Sequence, residues 1–190
     1  MGYQLNSFTS TVSQTKSMDR IKVDNYVSIG VYDTVGVEIS NPSKDGWDPK
    51  LALLISAEQT INLGRSGSIL REAIHQHLPK VFKYKPNVIS IWLTVNDFNQ
   101  QIYDRSILTS YTSNLTEMLS QLKNKLGNDT RILVENIPDL SKKNQCDLID
   151  LYSYWKELSA QSEDVSFDDF HPSTHGYERF VHIFYQQYLK

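Results

Sequence analysis

Val88-Ile-Ser-Ile-Trp-Leu93 is a nearly continuous apolar run. A strand with one wet face alternates apolar and polar residues. A run without alternation belongs in the middle of a parallel sheet, covered by helices on both faces. Tyr26-Val-Ser-Ile-Gly30, Thr60-Ile-Asn-Leu63 and Arg131-Ile-Leu-Val134 also read as strands, and Leu148-Ile-Asp-Leu-Tyr152 as a fifth. Between them the apolar period becomes helical. Pro49 to Glu58 reads as one helix. Leu70, Ile74, Leu78 and Val81 mark a second, broken by Pro86. Leu108, Tyr111, Leu115, Met118, Leu122 and Leu126 trace a third, ended by Gly127, and Tyr177, Phe180, Val181, Phe184 and Tyr188 a last one. This alternation predicts a doubly wound α/β sandwich around a mostly parallel sheet.

Composition narrows the function classes. The chain has 190 residues, enough for one full core and too few for two comfortable ones. With a net charge of −3 and no basic patch, nothing points to nucleic acid or a membrane surface. Cys146 is the only cysteine, so neither an internal disulfide nor a thiolate cluster can form. The histidines, His75, His77, His171, His175 and His182, lack metal-site spacing, so no metal is expected and no cofactor is implied. His75, His77 and His182 read as helix-surface residues. No run has signal-peptide or transmembrane character. The expectation is a cytoplasmic protein with a loosely held arm over residues 1–22 and one domain over 23–190. Its oligomeric state is not legible.

In open α/β sheets, ligands bind beyond the carboxyl ends of the strands. Four polar or glycine-rich clusters fall there: Gly30-Val31-Tyr32-Asp33-Thr34-Val35-Gly36, Gly64-Arg65-Ser66-Gly67-Ser68, Thr94-Val95-Asn96-Asp97 and Asp168-Asp169-Phe170-His171. In the last, an acid three residues before a histidine can accept its Nδ1 proton and leave Nε2 as a base.

Those clusters, in this order, resemble the blocks of the SGNH/GDSL hydrolase family of esterases and lipases, over roughly Asp24 to the C-terminus. The resemblance implies the SGNH-hydrolase fold, a flavodoxin-like three-layer sandwich with a five-stranded sheet. It also implies a small-molecule ester or acyl ligand. His171 would be the base, Asp168 its orienting partner, and Gly67 and Asn96 oxyanion donors together with the Tyr32 backbone N–H.

The departures from the family pattern are chemical. Its nucleophilic serine falls on Tyr32, and its third-block glycine on Thr94. A phenol is ionised to only about one part in a thousand at neutral pH. Its oxygen lies roughly 6.5 Å from Cα, against about 2.4 Å for a serine Oγ. Tyr32 should therefore block ordinary serine-esterase chemistry. Of the other hydroxyls, Thr34 reads as a helix cap, Ser66 and Ser68 as loop residues able to face the site, and Ser28 as packed in a strand. Arg65 reads as a solvated loop charge. A further departure follows Asn136-Ile-Pro-Asp-Leu140: Asp150-Leu151-Tyr152 comes almost at once, so that wall of the site is shortened.

Two functional classes stay open. In one, the chain is an enzyme in which His171 acts on water or a substrate hydroxyl and Tyr32 serves as acid or positioning group; hydrolysis, acyl transfer and a lyase or cyclase step all fit. In the other, it is an inactive SGNH-fold binding or scaffold protein.

Overall fold

The computed structural model describes residues 22–99, 105–135, 146–149, 162–167 and 171–190. The strands are β1 (Val23–Gly30), β2 (Ala57–Asn62), β3 (Val88–Trp92), β4 (Arg131–Glu135) and β5 (Asp147–Ile149). They form one sheet in the order β2-β1-β3-β4-β5. Every pairing is parallel: Val27 lies opposite Ile61 and Ile89, Ile89 opposite Ile132, and Val134 opposite Leu148. The strand order reverses between β1 and β3, which makes the gap beyond their carboxyl ends the expected ligand crevice.

The helices are α1 (Tyr32–Val35), α2 (Pro42–Asp45), α3 (Trp47–Leu54), α4 (Leu70–Gln76), α5 (Leu78–Tyr84), α6 (Thr94–Asn99), α7 (Arg105–Leu126) and α8 (Thr174–Tyr188), with a 3₁₀ turn at Ser162–Asp164. Successive strand residues point to opposite faces, so each face carries its own core. On one, Val27, Ile29, Ile89, Ile91, Ile132 and Val134 meet α4, α5 and α7. On the other, Tyr26, Val88, Trp92 and Leu133 meet α3 and α8. There Trp47 stacks on Phe184 at 4.7 Å between ring centroids and tilts against Trp92 at 5.5 Å. Aromatic pairs at such distances add about 0.5–1.5 kcal/mol beyond the area they bury.

Several expected elements differ in detail. The helix expected over Pro49–Glu58 is α3, ending at Leu54; Ser56 then turns the chain at φ 56° and Ala57 opens β2. The helix expected through Leu70–Val81 is two, α4 and α5, joined at His77. Pro79 lacks the N–H that a continuous helix would need there. His77 is buried at this joint rather than on a helix surface, and burial lowers its pKa. On α7, Ile107 is buried while Leu108 is 58% exposed, so the packed face begins one residue earlier. Residues 1–21, the Asn136–Leu140 segment and Asp150–Tyr152 lie outside the described residues.

Candidate functional site

Gly30 ends β1 in a space that admits only hydrogen. A Cβ there would lie 1.8 Å from Thr34 Oγ1 and 2.8 Å from the Trp92 carbonyl oxygen. The turn is thus pressed against the end of β3 and delivers Tyr32 to the switch point as the first residue of α1. Thr34 is buried, and its hydroxyl has no hydrogen-bond partner among the described residues, so the expected cap is not made. Its tight seat against Gly30 leaves it no route to an incoming ligand.

The second loop is tied to the first by Arg65 N donating to Gly30 O at 3.0 Å. A turn follows, closed by Ser68 N on Arg65 O at 3.2 Å, with Gly67 at φ 76°. That left-handed conformation is what calls for glycine. Ser66 is exposed and Ser68 is buried, with a hydroxyl that has no hydrogen-bond partner among the described residues. Arg65 is exposed and its guanidinium bonds Gln76.

The third block clamps the second. The Asn96 side-chain amide donates to Ser68 O at 2.9 Å, and the Asp97 carboxylate accepts from Leu70 N at 2.8 Å. This uses one of the two N–H groups of the Asn96 amide. Burial raises the Asp97 pKa, and the Leu70 N–H opposes that rise.

The fourth block is braced from behind. Asp164 is buried and binds His175 Nδ1 at 2.8 Å and Arg179 Nη1 at 2.6 Å, while Ser173 N donates to its carbonyl at 3.0 Å. Ser173 also caps α8, its hydroxyl accepting from Gly176 N at 3.1 Å. Ser166 N donates to His171 O at 2.8 Å, so His171 hangs on a fixed backbone.

At the centre, the Tyr32 and His171 rings meet edge to face, with centroids 5.6 Å apart and planes at 67°. The Tyr32 hydroxyl reaches the second loop, 3.8 Å from where a Cβ on Gly67 would stand. Four expected site residues thus come together: Tyr32 and His171 in contact, Gly67 under the phenol oxygen, and Asn96 on the neighbouring residue Ser68. Asp168 lies outside the described residues.

Sequence reasoning missed a polar layer beneath these residues. Asp33, next to Tyr32, accepts from Tyr177 Oη of α8 at 3.0 Å. Glu135, the last residue of β4, accepts from Thr94 Oγ1 at 3.2 Å, and Thr94 lies 3.3 Å from Tyr111 Oη. A carboxyl directly after the apolar Ile132-Leu133-Val134 run was the available signal. A further buried carboxyl, Asp48 of α3, accepts from Ser28 Oγ at 3.2 Å and Asn62 Nδ2 at 2.9 Å. Among the described residues no three His, Cys, Asp or Glu side chains gather as a metal site, and no helix is long and apolar enough to cross a membrane.

No protein-family model matches the chain, and no curated protein matches its sequence. Solved structures do match. TesA superposes with a TM-score of 0.73 at 12% identity, over 86% of this chain and 97% of that one. Axe2, an acetylxylan esterase from Geobacillus stearothermophilus, gives 0.72 at 15% identity, over 90% and 96%. A candidate GDSL-like lipase from Parabacteroides merdae gives 0.69 at 17% identity, over 87% and 95%. Two matched Axe2 structures are catalytic mutants, one with a serine and one with a histidine changed to alanine. The parallel five-stranded sheet, its flanking helices and these neighbours together show that the chain has the SGNH-hydrolase fold.

Proposed function

We propose that this chain belongs to the SGNH/GDSL esterase lineage. It binds a small ester or acyl compound at the β1/β3 switch point, and it works without a side-chain acyl intermediate. The reading rests on the placement of Tyr32: its hydroxyl stands against Gly67, and its ring packs on the His171 ring with planes at 67°. No hydrogen bond joins the two side chains, so the imidazole is not set to take the phenol proton.

Turnover in this site would use water. With Asp168 holding Nδ1–H, His171 Nε2 takes a proton as the water oxygen attacks the carbonyl carbon. The Gly67 N–H and the second Asn96 N–H hold the oxyanion. Its collapse breaks the acyl–oxygen bond, and the departing alcohol takes the proton back from His171. For a carbonyl to enter, the phenol must swing off Gly67. Acetyl esters of carbohydrates are first among the compounds to try, because Axe2 is an acetylxylan esterase.

The test is labelling with a fluorophosphonate, which marks activated nucleophilic oxygens, alongside aryl acetate hydrolysis. The protein should stay unlabelled and Tyr32→Ser should be labelled at position 32. Hydrolysis by the protein itself should vanish in His171→Ala. A phosphonyl adduct on Tyr32 would refute the reading. A second reading, binding without turnover, is favoured by the phenol oxygen at Gly67. Saturable ester binding with no hydrolysis above background would select it.

A further inference from the structure

Glu135 ends β4 and Asp33 lies in α1, just past the end of β1; both are buried, exposed by only 6% and 7%. Neither takes part in the chemistry above. Asp33 follows Tyr32 directly, and Glu135 accepts from Thr94, which opens the helix carrying Asn96. Tyr111 Oη, Thr94 Oγ1 and Glu135 Oε2 thus form a hydroxyl relay reaching from α7 to the sheet. Tyr177 ties Asp33 to α8 from the other side.

Two buried carboxylates within electrostatic reach of each other cannot both be charged at low cost. We propose that Glu135 is a positioning residue of the site. In its protonated form it ends the Tyr111–Thr94 relay and presents no charge to Asp33, so that the Tyr32 turn and the Asn96 helix keep their spacing. Ionised, it repels Asp33 and drives α1 and α6 apart. Thr94, where the family pattern has glycine, supplies the hydroxyl that makes the relay.

The charge state fits this role. Burial first, and the charge of Asp33 second, push the Glu135 carboxyl up to about 8, while the Thr94 hydrogen bond opposes the rise. Among the described residues the groups facing it are Asp33 from α1, Thr94 from α6 and Tyr111 from α7, with Tyr177 of α8 behind Asp33. Asp97 acts on the same Tyr111. Burial keeps Tyr111 neutral, which leaves Asp33 as the charge that acts on Glu135 among the described residues.

The inference takes from the proposed function only that this edge of the sheet is the ligand site, and its test needs no turnover. The Gly67 backbone amide and the Asn96 side-chain amide, neither of which titrates, are followed by NMR from pH 6 to pH 9.5. Both should move through one transition near pH 8 in the protein as it stands. Glu135→Gln, neutral and of the same shape, should hold both signals at their low-pH positions throughout. Thr94→Val should displace the Asn96 signal already at pH 6. The idea fails if the transition persists in Glu135→Gln. It also fails if Glu135→Gln displaces both signals at pH 6 as far as Glu135→Leu does, because the residue would then be packing alone.

Discussion

Tyr32 and His171 touch through their rings, 5.6 Å between centroids at 67°, and no hydrogen bond joins them. The phenol oxygen is therefore not part of the base. Tyr32→Phe loses no hydrogen bond to the imidazole and clears the oxygen from Gly67, so ligand affinity and any turnover should hold or rise rather than fall. Tyr32→Ala removes the ring and should change both. The check is Kd for an aryl acetate, with kcat/KM where hydrolysis is seen. A hundredfold loss in Tyr32→Phe would put the hydroxyl in the chemistry.

Glu135 links the site to stability. Its carboxyl is raised from 4.5 to about 8 by burial, so between those values the folded state holds a proton that the unfolded chain releases. Stability is then highest below pH 4.5 and falls as pH rises through the window, by at most about 1.4 kcal/mol per unit. Above pH 8 the loss is complete. Glu135→Gln should match the parent in urea unfolding at pH 4 and exceed it at pH 9. Equal curves at pH 9 would show that Glu135 is solvated.

The two-faced sheet was legible because its signal is local. The unbroken Val88–Leu93 run and the helical spacing from Tyr111 to Leu122 each fix an element and its buried face. Gly30, Tyr32, Gly67, Asn96 and His171 could be grouped because strand ends of a parallel sheet share one edge. The Asp33–Glu135 pair could not be found this way. Its members are 102 residues apart, and each alone reads as an ordinary surface acid. The Asp164–His175–Arg179 brace was hidden by the more conspicuous Asp168–His171 spacing. The break at His77 depends on Pro79, whose effect on a helix is decided by which carbonyl goes unpaired.

Asp48 gives a separate pH limb, beside β1 and β2. Burial raises its carboxyl from 3.8 to about 7 against the hydrogen bonds from Ser28 and Asn62. Stability from this group is full below pH 3.8 and is lost as pH rises to about 7. Asp48→Asn keeps an oxygen for both donors and should flatten that limb in urea titrations at pH 4 to 7. Asp48→Ala leaves the Ser28 hydroxyl and the Asn62 amide short of a partner, at about 1–3 kcal/mol each. If Asp48→Ala is as stable as Asp48→Asn, the network contributes nothing.

Gly30 and Gly67 should respond to alanine in opposite ways. At Gly30 the new methyl would stand 1.8 Å from Thr34 Oγ1, 2.7 Å from Thr34 Cβ and 2.8 Å from the Trp92 carbonyl. The side chain can turn away, but the β3 backbone cannot. Gly30→Ala should therefore destabilise by about 2–3 kcal/mol, the upper part of the range for overpacking. Adding Thr34→Ala should recover only the share due to the hydroxyl and leave the clash with Trp92. At Gly67 the methyl meets only the Tyr32 hydroxyl at 3.8 Å, so what opposes it is φ 76°, a strain of about 1–2 kcal/mol. Gly67→Ala should thus be the milder change in urea midpoint and the larger one in ligand affinity, because the strained loop carries the N–H proposed to hold the oxyanion. If Gly30→Ala proves the milder of the two in stability, the turn that delivers Tyr32 is not pressed on β3.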